Sequence, residues 1–90
     1  MTITHLPDAS TPPRVAYSVG RRVGPAVVRN RVKRRLRAIV ADRARPTGDL
    51  PPGPGAYLVS VRPSAASMTY AELAVAVDDA LDALSRRLRS

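Results

Sequence analysis

The residues with the most distinctive chemistry in this sequence are cations concentrated between positions 24 and 37. Residues three and four apart share one face of a helix. This spacing predicts that four polar residues lie on one helix face: Asn30, Lys33, Arg34 and Arg37. Arginine offers a fork of N–H donors to phosphate oxygens, and an asparagine amide can bond to a phosphate or a ribose 2′-hydroxyl. This pattern indicates binding of a polyanion rather than bond breaking.

The charge of the chain is unevenly distributed. The chain has fifteen Lys and Arg residues and seven Asp and Glu residues, which gives a net charge of +8. No acidic residue lies between positions 9 and 41. A focused positive field attracts phosphate better than the same charge spread evenly. The residues that could contact a polyanion all lie in this basic half: Arg21, Arg22, Arg29, Asn30, Arg31, Lys33, Arg34 and Arg37.

Several function classes are excluded or disfavoured by the residue inventory. There is no Cys, which removes disulfides, thiolate metal sites and Cys nucleophiles. His5 is the only His, and we expect it to face solvent near the chain start rather than to act in catalysis. The Asp78, Asp79 and Asp82 set could coordinate Mg²⁺, but an exposed helix face explains it better. We predict no catalytic residue and no metal site.

The chain also carries no signal for a membrane. No apolar run approaches the roughly 20 residues needed to cross a bilayer, and nothing resembles a signal peptide. We therefore expect a cytoplasmic protein with no membrane partner.

The elements that must position the cations follow from periodicity. Ninety residues allow one domain, 1–90. Residues 14–20 alternate as a strand with one buried face, and 56–62 form a second strand that ends before Pro63. Residues 26–43 form the basic helix, and 69–88 form the C-terminal helix after a capping box of Thr69 and Glu72. Residues 1–13 are a residual strand and turn, and 44–55 are a loop rich in Pro and Gly.

This order predicts a small α+β fold with a βαβ unit. The apolar face of the basic helix packs on the sheet, so the cationic band is presented outward. Basic amphipathic helices also bind acidic membranes or calmodulin-like proteins, and charge alone leaves these alternatives open. Membrane insertion is disfavoured because the apolar face has no Trp or Phe and is needed for the core.

The central motif resembles the protein subunit of bacterial ribonuclease P. The similarity rests on the segment RVAYSV at 14–19, and then on Arg21-Arg22, Gly24, Ala26-Val27, the RNR run at 29–31, Lys33-Arg34 and Arg37. The resemblance covers about residues 14–84. It implies a small α/β sandwich of the ribonuclease P protein type, with the basic helix in a left-handed crossover. The chain would be incomplete at its N-terminus, lacking the family's first helix and most of its first strand.

The resemblance also implies a function. In the family a large RNA using Mg²⁺ is the catalyst, and the protein binds that RNA and precursor tRNA to assist endonucleolytic removal of the tRNA 5′ leader. The polyanion-contact residues given above match the family's motif, so the resemblance makes them the candidate RNA-binding residues. It also implies that Tyr17 and Ser18 lie at the cleft for the leader, although the alternation of Tyr17 with Val15 and Val19 favours a core position for Tyr17. The protein itself would bind no cofactor. A small structural rRNA-binding protein, or a truncated subunit without full activity, is the alternative, and the oligomeric state stays open.

Overall fold

A computed structural model describes residues 1–7, 14–44, 53 and 55–89. Three strands and two helices make up the fold: β1 (Thr2–Pro7), β2 (Arg14–Ser18), α1 (Ala26–Arg43), β3 (Gly55–Ser60) and α2 (Tyr70–Arg89). Two 3₁₀ turns, Arg21–Val23 and Pro63–Ser67, precede the helices. The expected α+β class is confirmed.

The three strands form one mixed sheet in the order β1-β3-β2. β1 pairs antiparallel with β3 along all six of its residues, and β2 pairs parallel with β3. Because β2 and β3 are parallel, their connection must cross over the sheet, and it does so through α1. The predicted residual strand at the chain start is an edge strand of this sheet, while the turn predicted at residues 8–13 lies outside the described residues.

The strand boundaries differ from the predicted ones at three points. β2 ends at Ser18 rather than at position 20, because the chain leaves the sheet and enters a 3₁₀ turn closed by the Val23 N–H donating to the Gly20 carbonyl. β3 ends at Ser60, two residues before the predicted end, although the Val61 N–H still donates to the Ser18 carbonyl.

β3 also begins one residue early, at Gly55, in a region predicted as loop. Gly55 has φ +139° and pairs with Pro7, and a Cβ at this position would lie 2.4 Å from the Leu6 carbonyl oxygen. Only glycine combines this backbone angle with so close an approach of β1. Most of the predicted loop, residues 45–52 and 54, lies outside the described residues.

One face of the sheet carries the core. Ile3, Tyr57 and Val59 are buried against residues of both helices, and the helical contributions are Val32, Leu36, Ile39 and Val40 from α1 and Leu73, Val77 and Leu84 from α2. The other sheet face is covered by neither helix, and Leu58 there is 41% exposed. The helices thus form a single layer on the sheet.

His5 belongs to the covered face, so the expectation that it faces solvent is wrong. The pairing register sets it opposite Tyr57, and the two rings stack with centroids 4.5 Å apart and planes 17° from parallel. The Tyr57 hydroxyl in turn bonds to the backbone of Gly53. His5 is therefore a packing residue at the end of the core.

α2 begins at the expected capping box. The Thr69 hydroxyl accepts from the Glu72 N–H at 3.1 Å, and the Glu72 carboxylate accepts from the Thr69 N–H at 2.8 Å. The bond from the Thr69 N–H to the ionised carboxylate lowers the pKa of Glu72. Within the described residues, neither helix combines the length and apolarity that a bilayer-spanning segment requires.

Candidate nucleic-acid interface

α1 presents its cations because its apolar side is held in the core. Val32, Leu36 and Ile39 are at most 1% exposed, and Val40 is 6% exposed. These residues recur at helical spacing, so the polar positions between them must point away from the sheet. Between Val32 and Val40, contacts that involve no charge thus select the side of the helix that faces outward.

A groove of about 510 Å³ lies on the outward side of α1. We call it the cationic groove, and it is lined by Val27, Asn30, Lys33, Arg34 and Arg37. Three positive charges and one amide line it, and no carboxylate of the described residues does, so a phosphate oxygen would find donors there. Val27 is the member that sequence reasoning missed, and its 73% exposed side chain adds an apolar surface to the lining. Its spacing of three from Asn30 and seven from Arg34 on the helix is the sequence signal that could have found it.

Tyr17 supports one edge of this groove. The Arg37 guanidinium carbon lies 5.9 Å from the centroid of the Tyr17 ring, within range for a cation–π contact. Burial raises the pKa of the half-buried Tyr17 hydroxyl, and the charge of Arg37 offsets part of that rise. Tyr17 is therefore placed to orient Arg37 from beneath.

The structure does not bring Tyr17 and Ser18 together at one cleft. Neighbouring residues of a strand point to opposite faces, and Tyr17 packs on the helix-covered face while Ser18 is exposed on the open face. A ligand on either face meets only one of these two side chains.

The predicted cations divide into groups in the structure. Arg31 does not line the cationic groove, since its Nη2 donates to the Ala66 carbonyl at 3.2 Å. Arg29 is half-buried on the inner side of the helix, and its Nε is shielded from solvent. Arg21 and Arg22 are exposed on the 3₁₀ turn before α1 and lie outside the groove lining. The structure thus brings together Asn30, Lys33, Arg34 and Arg37.

Sequence reasoning missed a link between the two helices. The Arg43 Nε donates to Asp78 Oδ1 at 2.7 Å and its Nη2 donates to Oδ2 at 3.1 Å, while its Nη1 also reaches Asp42 at 2.9 Å. The bidentate bond lowers the pKa of Asp78 and raises the pKa of Arg43. The partners are 35 residues apart, so no local pattern signals the pair.

Two of the three aspartates considered for Mg²⁺ form ion pairs with arginines. Asp78 is bound by Arg43, and Asp82 forms an ion pair with Arg86 at 2.9 Å. Across the part of the chain that the structure describes, no group of three or more potential ligands could hold a metal ion.

Stability should decrease in acid partly through Asp78. Its pKa is depressed in the folded state, so its contribution is present above the ordinary carboxyl pKa of about 4 and is lost as the pH falls through the lower folded value. We expect Asp78→Asn to lower the melting temperature at pH 7 and to have a smaller effect at pH 3, measured by circular dichroism. Asp79→Asn is the control. An equal effect of Asp78→Asn at both pH values would contradict the link.

Comparisons with known proteins give a consistent result. The profile of the family described as Ribonuclease P matches residues 1–85. Proteins named "Ribonuclease P protein component" are similar to the chain: that of Thermobifida fusca is 46% identical over 89% of the chain and 52% of its own length. The one of Beutenbergia cavernae is 50% identical over 91% of the chain and 66% of its own length. The one of Streptomyces bikiniensis is 45% identical over 92% of the chain and 65% of its own length.

The chain thus spans from about half to two thirds of the length of these curated relatives. No solved structure gives a significant match.

Proposed function

Because the chain belongs to the ribonuclease P protein family, we propose that it acts as the protein subunit of ribonuclease P. It binds the catalytic RNA and precursor tRNA and assists endonucleolytic removal of the tRNA 5′ leader. The observation that carries this proposal is the cationic groove, where Lys33, Arg34 and Arg37 converge around Asn30 on a helix fixed to the sheet. The proposal places the chain in the cytoplasm with its RNA partners.

The role of the chain in this proposal is electrostatic. Cations held at fixed positions neutralise phosphates and release their counterions, which increases affinity and reduces repulsion between folded RNA segments. The hydrolytic step belongs to the RNA and the Mg²⁺ that the RNA holds. The residues of the chain bind and orient RNA, and Asn30 offers an amide that can bond to a 2′-hydroxyl.

The direct test is a cleavage assay with the cognate RNA. At a Mg²⁺ concentration too low for the RNA alone, adding the chain should increase the rate of 5′ leader removal from precursor tRNA at least about tenfold, since fixed cations replace part of the ionic screening. An Arg87→Ala variant, altered on the far helix, should increase the rate equally.

Two results would overturn the proposal. One is an unchanged cleavage rate although the RNA is competent at high Mg²⁺. The other is binding to ribosomal RNA that is tighter than binding to the catalytic RNA, which would indicate a structural rRNA-binding protein.

A further inference from the structure

Two arginines within the cationic run of α1 each donate a hydrogen bond to the protein itself. Arg31 Nη2 donates to the Ala66 carbonyl at 3.2 Å, and Arg35 Nη1 donates to the Met68 carbonyl at 3.4 Å. Both contacts are partly buried, and the Arg31 Nε is shielded from solvent. The side chains are therefore directed at the protein surface rather than outward.

The acceptors belong to the connection between β3 and α2. Ala66 lies in the 3₁₀ turn Pro63–Ser67, and Met68 directly follows this turn. Ala65 in this turn is 3% exposed, and Ala66 and Met68 pack against the core. The two carbonyls are thus part of a packed segment and offer fixed acceptors.

These contacts lie on the flank of α1 opposite to the flank that carries Lys33 and Arg37. At about 100° per residue, Arg31 and Arg35 are one helical turn apart on one side, whereas Lys33 and Arg37 are one turn apart on the other. Arg37 rests on Tyr17 at that other side. Contacts at both flanks add to the packing of the aliphatic residues and hold the helix more firmly against rotation about its axis.

We propose that Arg31 and Arg35 are positioning residues of the nucleic-acid interface. They set the rotation of α1 about its axis so that Asn30, Arg34 and Arg37 face outward, and they make no phosphate contact of their own. This inference rests on the proposed function. It separates two groups of cations that the sequence presents as one run: those that bind RNA and those that hold the helix.

The decisive comparison removes one charge without changing the size of the side chain. Citrulline is the neutral analogue of arginine and keeps N–H donors for a carbonyl. Chemical synthesis of the full chain with Arg31→citrulline or Arg34→citrulline gives two proteins of equal net charge. Their affinities for the catalytic RNA of ribonuclease P are then measured between 0.05 and 0.3 M salt, a range in which the Debye length is about 6–14 Å.

The two variants should differ in salt dependence. Arg34→citrulline should reduce the slope of log affinity against log salt by about 0.7–0.9, the loss of one phosphate contact. Arg31→citrulline should leave the slope unchanged, with an affinity within about threefold of the unmodified chain. An equal loss of slope in both variants would overturn the positioning role and leave the function intact. If neither variant lost slope, Arg34 would make no phosphate contact, which would overturn the division of the cations into binding and positioning residues, while the cleavage assay would still decide the proposed function.

A second pair of variants tests the anchoring itself. Arg31→Ala removes the donors, so we expect affinity to fall about tenfold with an unchanged salt slope, because the outer cations are present but misaligned. Arg31→citrulline restores the affinity. Arg31→Ala with unaltered affinity would show that the contact positions nothing, and if this variant failed to fold, the citrulline pair would decide the question alone.

Discussion

The triple substitution of Lys33, Arg34 and Arg37 by alanine should lower the affinity of the chain for the catalytic RNA by about 10²–10³-fold. These side chains line one groove and are not engaged by a described carboxylate, so each is available to a phosphate. A hydrogen bond involving a charged group contributes about 1.5–3 kcal/mol. Even at the lower figure, three such bonds amount to more free energy than a 10³-fold loss of affinity requires, so the three side chains can account for the expected loss. The salt slope should fall by about two to three units, since each contact contributes about 0.7–0.9.

A charge-matched control separates contact from net charge. Arg62, Arg86 and Arg87 lie outside the cationic groove, and their joint replacement by alanine lowers the net charge by the same three units. This control should lose less than about tenfold in affinity, because charges beyond a Debye length of about 8 Å are largely screened at 0.15 M salt. Equal losses in the two triple variants, measured by filter binding or fluorescence anisotropy, would show that the groove has no special role.

The second large effect is expected from the core beneath the basic helix. Leu36 of α1 is 0% exposed and belongs to the core that the sheet shares with the two helices. Leu36→Ala should lower the free energy of unfolding by about 2–5 kcal/mol, through lost burial and the cavity left behind. A 90-residue domain has only about 5–13 kcal/mol in total, so the variant should be close to unfolding at 37 °C.

The measurement is urea unfolding followed by circular dichroism. Val75→Ala is the control, since Val75 is 60% exposed on α2, and it should change the free energy of unfolding by less than about 0.5 kcal/mol. Saturating RNA should recover part of the stability lost in Leu36→Ala, because a ligand that binds only the folded chain shifts the equilibrium toward it. A loss below 1 kcal/mol in Leu36→Ala would mean that α1 is not held by this packing.

Local patterns carried much of the fold. Helical periodicity predicted a basic helix over 26–43, and α1 runs from Ala26 to Arg43. The spacing of Thr69 and Glu72 predicted the capping box, and both of its hydrogen bonds are present. These features depend on residues within a few positions of each other, so they can be read from the chain without knowledge of what packs where.

Other features depend on contacts between segments that are distant in sequence, so local patterns could not predict them. His5 was expected at the surface, but the register between β1 and β3 stacks it on Tyr57. Arg31 and Arg34 both belong to the polar side of the helical wheel, yet one meets a carbonyl of the β3–α2 connection and the other lines the open groove. Alternation placed Tyr17 on the apolar side of the strand, and the helices cover that side, so the leader cleft implied for both Tyr17 and Ser18 is divided between the two faces.

The sequence by itself determined that this chain carries a rigid, cation-bearing helix in a small α+β domain, because charge and periodicity are properties of neighbouring residues. Only the tertiary structure decided which cations remain available to RNA. That choice depends on the rotation of α1 about its axis, and the rotation is set by Leu36 beneath it, by Tyr17 at one flank and by the Ala66 and Met68 carbonyls at the other. These contacts join segments tens of residues apart, which no local pattern encodes.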